Sequence, residues 1–228
     1  MTSCLLPSPP ANFGSPVFSS YPPSEATNLT NQTISYNAIL NGFKRYWSMS
    51  ILKVAKLGNP VLRKVAEPVP VEEISGQAIQ RLIHDMVETM REHGGVGLAA
   101  PQVHQSLRVV VIEELNGPER GGDSEATPLQ ALINPELSIV SDELYEDWEG
   151  CLSIPDLRGK VSRYLEVRVQ AFNGLGRPLD FRARHFHARV IQHEHDHLMG
   201  KVFLDRMPSL ASLTYLQEFS RYWQAKEE

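Results

Sequence analysis

The sequence predicts a mixed α and β domain, and three patterns carry that expectation. Apolar residues step by three and four from Ile79 to Met90, an alternating run from Leu165 to Ala183 is broken by a glycine turn, and a second helical stretch surrounds His193. Ile79, Leu82, Ile83, Met86, Val87 and Met90 share one helical face, so a helix starts near Ser75 and ends at Gly94-Gly95. Leu107 to Ile112 is rich in β-branched residues and reads as a buried strand, with Ala131 to Ile133 as another. Between them, residues 114 to 130 hold Asn-Gly-Pro and Gly-Gly-Asp and read as an exposed, mobile loop.

Leu165, Val167, Val169 and Ala171 alternate with Glu166, Arg168 and Gln170. Asn173-Gly174-Leu175-Gly176 then turns the chain into Leu179, Phe181 and Ala183, a hairpin with one wet face. A second helix is expected from His185 to Met199, stopped by Gly200, and a third from Ser209 to about Gln224.

The chain has 228 residues, 42% of them hydrophobic, which suffices for one core of ordinary size. A formal charge of −5 argues against DNA and anionic membranes as partners. No apolar run approaches the roughly 20 residues that a bilayer span requires. Cys4 and Cys151 lie far apart in unlike surroundings, which is no disulfide framework and points to a reducing compartment.

Residues 1–48 hold six prolines, one acid and two bases, a composition that cannot offset its own ordering entropy. They are expected to form a disordered extension dispensable for catalysis: a retained tail, a transit segment, or residues upstream of a true start at Met49. The catalytic domain is then 49–228. Its location is expected to be cytoplasmic, or a plastid or mitochondrion if 1–48 is a transit segment.

Gln192-His193-Glu194-His195-Asp196-His197 carries the chemistry. Residues four apart on a helix share a face, so His193 and His197 can point their imidazoles at one ion. In this spacing the imidazoles bind a divalent transition metal and the carboxylate beside them deprotonates a water on it. The competing reading is a solvated face rich in histidine, disfavoured by the apolar Phe186, Val190 and Ile191 of the preceding turns. A third protein ligand is needed. The downstream place used by one large protease class is Phe203, which cannot ligate, whereas a Cys151 thiolate would complete a set suited to zinc or ferrous iron.

Three segments in order, Gly95-Val96-Gly97-Leu98-Ala99-Ala100-Pro101-Gln102, Glu149-Gly150-Cys151-Leu152-Ser153 and Gln192 to Gly200, resemble peptide deformylase, over about 49 to 226. The resemblance implies an α+β fold of antiparallel β-sheets around a central metal-binding α-helix, with an additional N-terminal and C-terminal helix. It implies Fe2+, replaceable by Zn2+, Ni2+ or Co2+, on Cys151, His193 and His197. Glu194 would be the general acid and base, with Gln102 and the Leu152 N–H as oxyanion donors. The activity implied is hydrolysis of the N-formyl group from N-formylmethionyl nascent peptides near the ribosome exit, releasing formate, by a monomer.

Gly95, Val96 and Gly97 suit an edge along which an extended peptide pairs as an added strand. Arg158 matches a family position thought to meet a substrate carbonyl. Phe186 and Val190 are expected to wall the methionine pocket. Arg189, on the same face, is expected to pack its stem and hold its head in water rather than touch substrate. The competing functions are a zinc peptidase and a non-catalytic metal-containing binder of chain termini.

Overall fold

The computed structural model describes residues 50–113 and 128–224. The expected extension at 1–48 lies outside the described residues, as does most of the expected loop at 114–130. Helix α1 runs Gln77–Glu92 and buries Ile79, Ile83, Met86, Val87 and Met90, the residues whose spacing predicts it. Gly94 turns it off at φ +63°, and the Gly95 N–H closes the end on the Met90 carbonyl at 2.9 Å.

Five antiparallel strands form the larger sheet: β1 (Gly97–Ala99), β2 (Val109–Ile112), β3 (Gln130–Ile139), β6 (Glu166–Phe172) and β7 (Pro178–Arg184), in the order β1-β2-β3-β6-β7. Strand β2 is apolar throughout because both of its faces are covered. Val109 and Val111 enter the core that α1 closes, whereas Val110 and Ile112 enter the core under α2 (His185–Leu198). Strand β3 is longer than the expected Ala131–Ile133, because a register shift between Ile133 and Glu136 carries the ladder past Asn134-Pro135. Proline cannot donate to a ladder. Asn134 secures the bulge at φ +52° by exchanging side-chain hydrogen bonds with both backbone groups of Val69 at 2.8 and 2.9 Å.

The smaller sheet is one that sequence patterning does not announce: β4 (Leu144–Cys151), β5 (Ile154–Tyr164) and β8 (Thr214–Tyr215), in the order β4-β5-β8. Helix α2 packs on β1, β2 and β7 and also on β5, so it is central to both sheets, as expected.

The expected helix from Ser209 to Gln224 is mostly something else. Ser209 Oγ caps a 3-10 turn, Leu210–Ser212, by accepting from the Ala211 N–H at 3.1 Å. Thr214 and Tyr215 then pair with Arg158 and Leu157, leaving a short α3, Leu216–Tyr222. The physical reason is the free edge of β5: ladder bonds to it, and the Lys160 N–H on Ser212 Oγ at 3.1 Å, outweigh the helical spacing of Leu210, Leu213 and Leu216.

A strap formed by residues 52–57 binds the two halves of the molecule. The Leu52 N–H donates to Thr89 Oγ1 at 2.8 Å, the Ala55 N–H to the Gln102 carbonyl at 2.7 Å, and the Leu57 N–H to the Ser153 carbonyl at 2.8 Å. Lys56 Nζ adds a bond to the Leu152 carbonyl at 2.8 Å.

Gly200 ends α2 at φ +70°, with the Lys201 N–H on the Asp196 carbonyl at 2.8 Å. A Cβ there would stand 2.8 Å from the Arg63 backbone oxygen. Left-handed backbone costs an L-residue roughly 1–2 kcal/mol before any clash. Gly200→Ala is therefore expected to lower the unfolding free energy by at least about 1 kcal/mol in urea titration; an unchanged midpoint would refute this account of the turn.

Candidate metal centre

Helix α2 carries His193 and His197 one turn apart, with ring centroids 5.1 Å apart, and β4 ends at Cys151 opposite them. Their donor atoms all lie within 4.8 Å of one another, and Cys151 Sγ is 3.2 Å from His197 Nε2. Burial would raise the Cys151 thiol, but the charge of His197 and the hydrogen bonds from both histidines hold it well below its ordinary value. Burial would likewise lower His193, yet the hydrogen bonds to Cys151 and Glu149 raise it well above. A buried thiolate beside two imidazoles is a donor set that calls for a cation, and this soft and borderline mixture fits zinc or ferrous iron.

His193 is oriented from behind. Its Nδ1 lies 2.9 Å from Glu149 Oε2, which leaves Nε2 for the cluster. Burial would raise Glu149, but the hydrogen bonds from His193 and Arg163 hold it well below the usual carboxylate range. Arg163 grips Glu149 through Nε and Nη2 at 2.9 and 3.0 Å and reaches Asp196 through Nη1 at 2.6 Å. Asp196 also receives Arg206.

Glu194 is 4% exposed, and among the described residues its Oε2 has no hydrogen-bond partner. Burial, against the pull of His193 and His197, pushes its carboxyl up to about 7. A Cβ on Gly97 would fall 2.5 Å from Glu194 Oε1. Gly97 therefore serves first to let β1 pass over this carboxylate, a reason that the reading of Gly97 as a substrate edge does not contain.

Gln102 follows β1 in a 3-10 turn, Ala100–Val103. Its Oε1 accepts from the Ala99 N–H at 2.8 Å, which fixes the amide and turns Nε2 towards Cys151 Sγ at 3.5 Å and Ser153 Oγ at 3.3 Å. Leu152 lies in the turn between β4 and β5, its side chain against Gly95. Arg158 folds its guanidinium over Gly150, where a Cβ would meet Nη1 at 2.1 Å, and donates to the Leu157 carbonyl at 2.9 Å. Val96, Phe186 and Val190 pack in the layer between α2 and the larger sheet.

The expectation for Arg189 is overturned. Its side chain is 7% exposed, and its head is not in water. Nη1 donates to Glu149 Oε1 at 2.8 Å and to the Val161 carbonyl at 2.9 Å, and Nη2 to the Tyr145 carbonyl at 2.6 Å. A buried guanidinium is tolerable only with such partners, and these lie on strands that the sequence pattern does not reveal. Glu149, Arg163 and Asp196 are the site residues that sequence reasoning missed. The available signal was the acid adjoining Gly150-Cys151 and the Asp between the histidines.

Phe203, at the place of a downstream ligand, is buried and stacked 6.4 Å from His193. It walls the cluster and cannot ligate.

The family model described as Polypeptide deformylase matches residues 51–212. Among curated proteins, "Peptide deformylase 2" of Pseudomonas putida is 42% identical over 167 residues, 73% of this chain and 93% of that one. "Peptide deformylase" of Leptospira biflexa is 38% identical over 170 residues, 75% and 95%. Among solved structures, the Met-Ala-Ser-bound class I type b peptide deformylase of Acinetobacter baumannii is similar with a TM-score of 0.66 and 38% identity, covering 70% of this chain and 100% of that one. The Thermotoga maritima peptide deformylase gives 0.62 and 35%, with 70% and 99% covered.

Cys151→Ala is expected to elute from gel filtration without bound metal, and Cys4→Ser with the wild-type content. Equal metal in the two variants would remove Cys151 from the centre.

Proposed function

This chain belongs to the polypeptide deformylase family and is a metallohydrolase, and from that premise we propose that it removes the formyl group from N-formylmethionyl nascent peptides, using ferrous iron. The observation that carries the reading is the convergence of Cys151, His193 and His197 beside a buried carboxylate, Glu194. The Met-Ala-Ser bound to the Acinetobacter baumannii relative has the chemistry of a deformylated chain start. A thiolate with two imidazoles suits ferrous iron or zinc; the resemblance to the family is what favours iron, with Zn2+, Ni2+ or Co2+ as substitutes.

A divalent ion held there supplies Lewis acidity to water and to the formyl carbonyl. Glu194, raised by burial, takes one proton from the attacking water and passes it to the departing amine. The formyl C–N bond breaks, formate keeps the water's oxygen, and the peptide keeps a free amino terminus. Gln102 aims Nε2 at the oxygen on which charge develops, and the Ala99 N–H keeps its amide from flipping. The Leu152 N–H is the second donor. Strand β1 ends the larger sheet, so its outer edge is where an extended peptide pairs. A zinc peptidase and a non-catalytic binder are not favoured. A binder that only holds a metal needs neither Glu194 nor Gln102, and Phe203 removes the commonest third ligand of the peptidase.

Glu194→Gln keeps the shape of the side chain but cannot accept a proton. It is expected to retain metal by elemental analysis and to lose at least about a hundredfold in kcat on formyl-Met-Ala-Ser; near-wild-type turnover in the loaded variant would overturn the mechanism. Anaerobically prepared iron enzyme is expected to lose activity in air as the iron and the Cys151 sulfur oxidise, while nickel-loaded enzyme persists. Undiminished activity of the as-isolated enzyme through prolonged aeration would mean that iron is not its working metal or that the site is sealed from oxygen.

A further inference from the structure

Arg189 stands one helical turn before His193 on α2, yet its guanidinium bonds to groups off its own helix. Its guanidinium crosses to the smaller sheet. One hydrogen bond goes to the β4 backbone at Tyr145, one to the β5 backbone at Val161, and one to Glu149 Oε1. Its carbon also lies 5.9 Å from the centre of the Tyr145 ring. Glu149 consequently receives two arginines from different directions. Arg163 takes both carboxylate oxygens, which sets the plane of the group, and Arg189 holds Oε1 from the helix side. The fourth donor is His193 Nδ1, on Oε2.

We propose that Arg189 is a positioning residue for the metal centre: by pinning Glu149 it fixes the ring of His193, and so directs Nε2 at the point where Cys151 and His197 converge. The inference rests on the reading of those three residues as metal ligands. The chain of contact is short and rigid. A carboxylate held by one fork can still pivot about it, and a ring that follows the carboxylate would swing its ligating nitrogen by the same motion. Partners of this kind, behind a ligand, typically change metal affinity by about 10–100-fold when lost.

Two variants remove the cation. Arg189→Met keeps most of the volume, and Arg189→Gln keeps an amide able to satisfy a strand carbonyl. A merely structural role would lower stability, so the readouts are the visible spectrum of the cobalt(II)-loaded protein and the rate of metal release to a chelator. Ile83→Ala, which truncates a fully buried residue of α1 in the other core, serves as the destabilised control. The expected result is altered cobalt ligand-field bands and at least about tenfold faster release in whichever Arg189 variants fold, with wild-type bands in Ile83→Ala. Wild-type bands and release in a folded Arg189 variant would overturn the proposal, as would the same spectral change in Ile83→Ala. A wild-type protein lacking a cobalt–thiolate band would instead sink the metal-centre reading itself, so the two failures are told apart.

Discussion

The carboxylate of Glu149 is the point through which the two long strands of the smaller sheet and the central helix are joined. It sits on β4, takes a fork from Arg163 on β5, and receives Arg189 and His193 from α2. Arg163 extends the chain to Asp196 and thence to Arg206 beyond the helix. Charges out of water are expensive, and mutual attraction repays that cost only when geometry and hydrogen bonding are complete. Here each carboxylate has at least two cationic partners. Loss of one partner strands the others, at a cost of about 3–5 kcal/mol in typical cases. The network ties α2 to the smaller sheet through directional bonds at both Glu149 and Asp196. The His193–Cys151 arrangement is thus an outcome of how α2 is held on the smaller sheet.

The remaining half of the site depends on β1. Two glycine positions show how closely it approaches: Gly97 lies against the Glu194 carboxylate and Gly95 against the Leu152 side chain. Both contacts are intramolecular, so the small residues at these two positions are demanded by the protein's own packing. The side chains on β2 and β3 alternate between a core under α1 and a core under α2, which leaves the larger sheet no wet face at its centre. The site forms where that doubly covered sheet reaches its short free edge.

Much of this is legible in the sequence where one periodicity acts alone. Helix α1, helix α2 and the β6–β7 hairpin follow their apolar spacing closely. His193 and His197 follow from a four-residue step, and Cys151 as the third ligand from the resemblance of the Glu149 to Ser153 segment to the family. Strands β4 and β5 are not announced by apolar alternation, which Glu146, Asp147 and Glu149 interrupt, although Glu149 itself is buried. The long C-terminal helix failed because strand pairing with Arg158 and Leu157 is a tertiary fact absent from local spacing. Arg189 failed for the same reason: its partners are two backbone carbonyls and a carboxylate more than 25 residues away in sequence.

The strap at residues 52–57 bears on how the chain can be shortened by proteases. Its hydrogen bonds hold the Gln102 carbonyl and the Leu152–Ser153 turn at once, from a segment that is itself anchored to Thr89. Cleavage upstream of Leu52 leaves every one of these bonds in place. Cleavage within the strap frees the Gln102 carbonyl and the Leu152–Ser153 turn together. The boundary between a cut that spares these bonds and one that removes them is accordingly abrupt, a few residues wide, and set largely by backbone groups, so that changes of side chain along the strap leave most of it where it is.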